Sequence, residues 1–155
     1  MAFGRRHFLG AAAVGAGVAA LQTHAGEARD YRACVIGHTG RGNYGHGLDT
    51  AFQKIPGVSV VALADPDEKG REAAARRAGA ARTYADWHAM FHEEKPNLVA
   101  IGPRWVERRL EMITAAAVIG AHVYMEKPLA ASLEEADAIV DVAARHKIKI
   151  ALSRI

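Results

Sequence analysis

The segment Gly37-His38-Thr39-Gly40-Arg41-Gly42-Asn43-Tyr44-Gly45-His46-Gly47 follows directly on a short apolar run, residues 33–36. Glycine weakens regular structure, so its concentration here points to a backbone that something approaches closely. Between a strand and a helix, the group that such a loop suits is a pyrophosphate. Gly37 stands where a tight turn is needed after the strand. Gly40 and Gly42 let the backbone reach the phosphates and let helix and strand pack together. Asp65, at the end of the next apolar run, is the acid expected to hydrogen-bond an adenosine ribose. It lies 28 residues beyond Gly37, more than the usual ~20, and a long first helix would account for the excess. Two registers compete. Gly40-x-Gly42-x-x-Gly45 has all three glycines but starts late after the strand. Gly37-x-Thr39-x-x-Gly42 starts in the right place with Thr39 in the middle, and geometry prefers it.

Such a loop needs a strand before it and a helix behind it. Residues 33–36 read as the strand. Tyr44, Leu48, Ala51, Phe52 and Ile55 recur at helical spacing, which predicts a helix to about Lys54, stopped by Pro56-Gly57. Residues 58–64 form a β-branched apolar run typical of a strand buried on both faces. Charged and apolar patterns then predict a helix over 67–78, a short strand at 81–84, a helix capped by Asp86, and a strand at 98–101. A helix to Gly120, a strand at 122–125, a helix opened by the Ser132/Glu135 capping box and a last strand at 148–152 complete the alternation. The expected fold class is α/β, a doubly wound parallel sheet with right-handed crossovers.

Other candidates are weaker. His88 and His92 share a helix face without an accompanying carboxylate motif and read as solvated positions rather than metal ligands. His38 and His46 flank the glycine loop and could face phosphate or water. Trp87 and Trp105 read as packing residues, and Cys34, the single cysteine, as a small buried hydrophobe.

The formal charge of +3 comes from 20 Lys+Arg against 17 Asp+Glu, and two of the arginines lie within residues 1–25. The remainder is nearly neutral, which gives no support to a nucleic-acid or membrane-surface partner. Residues 1–25 carry Arg5-Arg6, Phe8-Leu9, a weakly apolar stretch too short for a membrane span, and Thr23-His24-Ala25 as a cleavage site. They read as a twin-arginine export signal, so a periplasmic or exported location is expected. Residues 26–31 read as a linker and 32–155 as one domain.

The segment HVYMEKPLAASLEEADAIV, with VIGHTGRG after the first strand, ALADPD after the second and GPRW after the fourth, resembles the glucose–fructose oxidoreductase/inositol dehydrogenase/MocA family. The resemblance covers residues 32–155 and implies a Rossmann domain binding NAD(P), in proteins that oxidise or reduce sugars, polyols or related compounds. By position, it implies a phosphate loop of Gly37, Thr39, Gly40, Arg41 and Gly42, with Asp65 on the adenosine ribose. Pro103 and Arg104 would line the nucleotide cleft, and Glu126 and Lys127 would reach the nicotinamide ribose. Lys127 is the residue the family places beside the substrate, where an ammonium polarises a hydroxyl or, if burial favours it, takes its proton. Asp65-Pro66-Asp67 puts two carboxylates where a 2′-phosphate would sit and favours NAD, while Lys69 and Arg71 keep NADP open. The family's amide and imidazole after the fourth strand are replaced by Arg104 and Glu107, and its second, α+β domain, which carries most of the substrate pocket and the sheet used for homo-oligomers, is not in this chain. Three readings follow: the cofactor domain of an exported oxidoreductase with tightly bound NAD, an NAD-dependent glycosidase on the same scaffold, or a truncated NAD-binding chain without catalysis.

Overall fold

The computed structural model describes residues 30–154, so the export signal proposed for residues 1–25 lies outside the described residues. Ten elements alternate along the chain: β1 (Tyr31–Ile36), β2 (Val58–Ala64), α1 (Glu68–Ala78), β3 (Arg82–Tyr84), α2 (Trp87–Glu94), β4 (Leu98–Ile101), α3 (Arg109–Val118), β5 (His122–Met125), α4 (Leu133–His146) and β6 (Ile150–Leu152). The six strands form one parallel sheet in the order β3-β2-β1-β4-β5-β6. The order reverses between β1 and β4, and in a doubly wound sheet the crevice beyond the strands' carboxyl ends at that reversal is where ligands bind.

The central strands are buried on both faces, as their near-continuous apolar sequences require. Cys34, Ile36, Ala62, Ala64, Val99, Ile101, Val123 and Met125 point to the face covered by α2, α3 and α4. Ala33, Val35, Leu63 and Ala100 point to the other, where Tyr44, Leu48, Phe52 and α1 cover them. Cys34 is fully buried, and burial foremost, then the nearby Glu94, pushes its thiol pKa up to about 12. Three of the four described helices start at side-chain caps: Asp67 accepts from the Gly70 N–H, Asp86 from His88, and Ser132 from Glu135, while α3 has none.

The helix expected up to Lys54 does not form. Only Leu48–Thr50 is helical, as a single 3-10 turn. Gly40, Gly42, Gly45 and Gly47 take φ of 83, 90, 59 and 83°, and Asn43 and Lys54 are also left-handed. A helix cannot run through that many left-handed residues. The apolar spacing is still used: Tyr44, Leu48 and Phe52 are buried, whereas Ile55 is not. The periodicity therefore reported burial rather than helix.

A buried acid ties the amino end of the sheet to α2. Glu94 is 3% exposed and accepts from Arg32, Arg82 and the Tyr84 hydroxyl. Hydrogen bonding from Arg82, against the opposing effect of burial, holds its carboxyl below the ordinary value. A depressed folded-state pKa means the stabilisation is complete above the ordinary glutamate value of 4.5 and is lost as pH falls through the lowered value. Both arginines are about half exposed, so solvent screens them. Glu94→Gln is therefore expected to cost about 1–2 kcal/mol at neutral pH. Urea titrations should show that difference shrinking as pH falls below 4.5; a pH-independent difference would refute the ionic account.

Candidate dinucleotide site

The residues singled out in the sequence converge on the carboxyl edge of the sheet, from the loops after β1, β2, β4 and β5. The glycine loop, residues 37–47, folds down over that edge, and most of its N–H groups are engaged within the protein, either in the loop or on Ala64, Asp65 and Glu126. Gly37 donates to Ala64, His38 and Asn43 exchange a bridge, Gly40 donates to the Asn43 side chain, and Gly45 donates to Gly42. With no helix of useful length behind it, the loop lacks the helix N-terminus that the motif ordinarily turns toward phosphate. Close approach is nevertheless real. A Cβ on Gly42 would fall 2.6 Å from the Arg104 backbone nitrogen, and one on Gly102 would fall 2.9 Å from the Tyr44 Cα. These glycines let the β1 and β4 loops touch. Gly40 alone among the loop glycines predicted to contact phosphate has both a left-handed φ and open space around it.

Asp65 ends β2 as expected, but it is fully buried. Its carboxylate accepts from the Thr39 N–H at 2.9 Å and hydroxyl at 2.7 Å, the Tyr44 hydroxyl at 2.7 Å and the Asp67 N–H at 2.9 Å. The Tyr44 ring lies over Gly37, where a Cβ would come within 2.0 Å of it. Burial, then the Asp65 bond, pushes the Tyr44 phenol pKa up. Glu126 is also fully buried. Its Oε1 accepts from the His46 N–H at 2.6 Å and pairs with His46 Nδ1 at 2.5 Å; its Oε2 accepts from the Lys127 N–H at 3.0 Å. The two acids that the resemblance assigns to the riboses are thus held by the glycine loop itself.

Pro103 is buried, while Arg104 and Lys127 are exposed. Lys127 precedes Pro128 across a cis bond. Behind both loops sits Arg109, 1% exposed at the start of α3. Its guanidinium donates to the carbonyls of Pro103, Trp105, Glu126 and Pro128. Burial lowers its pKa, with Glu126 acting in the opposite sense. Sequence reasoning passed over Arg109, although a cation in the first turn of a helix, against the dipole, is itself a signal. It also passed over the partnerships of Tyr44 and His46, which no local pattern encodes.

Two openings lie along this edge. One, of about 240 Å³, is lined by Gly37, His38, Arg41, Pro103, Trp105 and Arg108 among others. The Arg41 guanidinium lies 4.8 Å from the Trp105 ring centre. The second, of about 520 Å³, is lined by Lys127, Leu152, Ser153 and Arg154. Among the described residues, two buried side-chain polar atoms lack a hydrogen-bond partner: Trp105 Nε1 and Ser153 Oγ. Each belongs to a residue lining one of these openings. Native interiors rarely leave such groups unpaired, so each orphan beside an opening has room for a polar partner, water or the polar group of a ligand. Cations and orphaned polar groups along this edge, from the switch point to the ends of β5 and β6, suit an anionic, hydroxyl-rich molecule. Histidines 88 and 92 face solvent, His88 bonding to Asp86 and Glu111.

A doubly wound sheet with a glycine-rich first crossover, an acid closing β2 and openings along the switch edge is a domain of the dinucleotide-binding class. The chain belongs to the Gfo/Idh/MocA oxidoreductase family, with its NAD-binding Rossmann fold, which matches residues 31–153. It is 31% identical over 134 residues to a glycosyl hydrolase family 109 protein of Streptomyces coelicolor, covering 79% of this chain and 27% of that protein. It is 33% identical over 90 residues to D-apiose dehydrogenase of Paraburkholderia graminis, covering 58% of this chain and 24% of that protein. The fold also matches the crystal structure of myo-inositol 2-dehydrogenase from Lactobacillus plantarum, with a TM-score of 0.67 and 25% identity over 81% of this chain and 36% of that one. The chain thus spans about a quarter of the length of these curated relatives. No described helix is long and apolar enough to cross a membrane.

Proposed function

We propose that this chain binds NAD along the carboxyl edge of its sheet, as the cofactor domain of an exported oxidoreductase acting on sugar- or polyol-like substrates. The observation that carries the reading is the pair of orphaned polar atoms, Trp105 Nε1 and Ser153 Oγ, at residues lining the two openings. Arg41, Pro103 and Trp105 would hold the nucleotide at the first opening, with Thr39 and Gly40 on the loop above. Asp65 serves by fixing that loop. NAD, when bound, supplies the acceptor for a hydride. Lys127 is exposed, so what it offers a substrate hydroxyl is a polarising positive charge. The twin-arginine segment supports export, which suits a cofactor loaded before transport.

A glycosidase reading is favoured by one observation, the 134-residue match to the family 109 glycosyl hydrolase against 90 residues for the dehydrogenase. In that reaction the oxidised cofactor would be regenerated within each cycle.

Calorimetric titration of the 155-residue chain tests the cofactor reading. Saturable one-to-one binding of NAD, tighter than that of NADP, is expected. A folded chain that binds neither nucleotide would refute it. In a complete enzyme, NADH accumulation separates a dehydrogenase from glycoside cleavage without net redox change.

A further inference from the structure

Glu126 is placed where the resemblance has an acid reach the nicotinamide ribose, yet it has no route to a ligand. Both of its oxygens are engaged within the protein. A Cβ on Gly45 would lie 2.1 Å from its Cγ, so the carboxylate is packed beneath the loop. Burial works to raise its pKa, but the bonds from the His46 N–H, the His46 ring and the Lys127 N–H outweigh that and hold it low. An ionised carboxylate only accepts hydrogen bonds. His46 Nδ1 is therefore the donor in the 2.5 Å contact, and the ring is fixed with Nε2 as its open position. The His46 side chain is 31% exposed while Glu126 is completely covered. Among the described residues nothing bonds to Nε2. A buried acid that fixes one nitrogen of an imidazole so that the other is presented outward is the usual way a protein aims a histidine.

We propose that His46, aimed by Glu126, is the residue that meets the ligand at the Lys127 end of the cleft, with Nε2 accepting a hydrogen bond from a hydroxyl of the nicotinamide-side ribose. Glu126 is the positioning residue and His46 the binding one. The acid's 80-residue reach back to the loop also joins the phosphate loop to the turn carrying Lys127. The inference rests on the NAD-binding reading above.

The test separates the two nitrogens. In His46→Asn the amide nitrogen stands where Nδ1 was and keeps the bond to Glu126, but nothing replaces Nε2. The expected result is an unchanged melting temperature, NAD binding weakened about ten-fold, and unchanged binding of AMP, which lacks the second ribose. In the wild-type chain, imidazole ¹⁵N spectra should show the Nδ1–H form and a shift of the His46 Nε2 signal on NAD addition but not on AMP addition. Undiminished NAD binding in His46→Asn with an unmoved Nε2 signal would overturn the proposal while leaving the cofactor reading intact. Equal weakening of NAD and AMP would overturn it as well, by showing a general loop effect. A folded wild-type chain that binds AMP or NAD not at all would bring down both. The wild-type spectra decide the matter alone if the variant fails to fold.

Discussion

An Arg109→Met variant is expected to lose about 3–5 kcal/mol of stability and most of its affinity for NAD. Methionine fills the volume but donates nothing. The carbonyls of Pro103, Trp105, Glu126 and Pro128, which the guanidinium gathers, would be left behind. Exchanging a buried ion pair for apolar groups is often harmless because both partners go. Here the acceptors are main chain and stay. Arg109 makes no ion pair with a carboxylate among the described residues, and it sits at the positive end of α3, so its contribution comes from the four carbonyls it binds and not from its charge. What the cation does is hold the β4 loop and the Glu126-Lys127-Pro128 turn in fixed relation. Arg109→Lys should recover less than half of the loss, since one ammonium cannot face two loops as a planar fork does. Urea unfolding and NAD calorimetry on the three chains check this. A wild-type unfolding midpoint for Arg109→Met would show that water serves those carbonyls as well, and the clamp would be discarded.

Asp65→Ala is expected to be comparably severe, about 3–4 kcal/mol, because it removes the shared acceptor of two part-buried N–H groups, the Thr39 hydroxyl and the buried Tyr44 hydroxyl at once. Tyr44→Phe removes a single bond to the same carboxylate and should cost about 1 kcal/mol. The loop should report the difference directly. Arg41 is exposed within it, so trypsin cleavage after Arg41 should accelerate strongly in Asp65→Ala and only slightly in Tyr44→Phe. Equal protection in all three chains would mean that the loop is held by its own turns and not by Asp65.

The parallel sheet was legible because buried strands announce themselves: 58–64, 98–101 and 122–125 match β2, β4 and β5 residue for residue. The ends were less so. β1 begins at Tyr31, ahead of the apolar run, because pairing with Val58 extends it. β6 starts only at Ile150, since Ile148 belongs to the turn after α4. The missing helix after β1 exposes the limit of periodicity. Tyr44, Leu48 and Phe52 do share a buried side, but a helix also needs right-handed φ between them, and the glycines there are left-handed. At the site, glycine spacing and the Glu126-Lys127-Pro128 turn pointed to residues that the structure brings together at the carboxyl edge of the sheet. The direction in which Asp65 and Glu126 point was not legible, because it is set by Tyr44 and by His46, 21 and 80 residues away. Arg109 escaped notice for a related reason: its partners are backbone carbonyls, which carry no residue identity.

The reversal in strand order carries a consequence for how the molecule assembles. Arg32 and Asn97 are joined by a hydrogen bond although 65 residues apart, and β1 and β4 zip together from that point toward the ligand edge. The pairs β1–β2 and β2–β3 link neighbours in sequence, whereas β1–β4 must close a long loop before any contact repays it. The glycine loop stands on one side of that seam; Pro103, Arg109 and Glu126 stand on the other. Nothing in the first half alone resembles the complete cleft. The cleft therefore exists only once β1 and β4 have paired, and nucleotide affinity is a property that registers the completed seam.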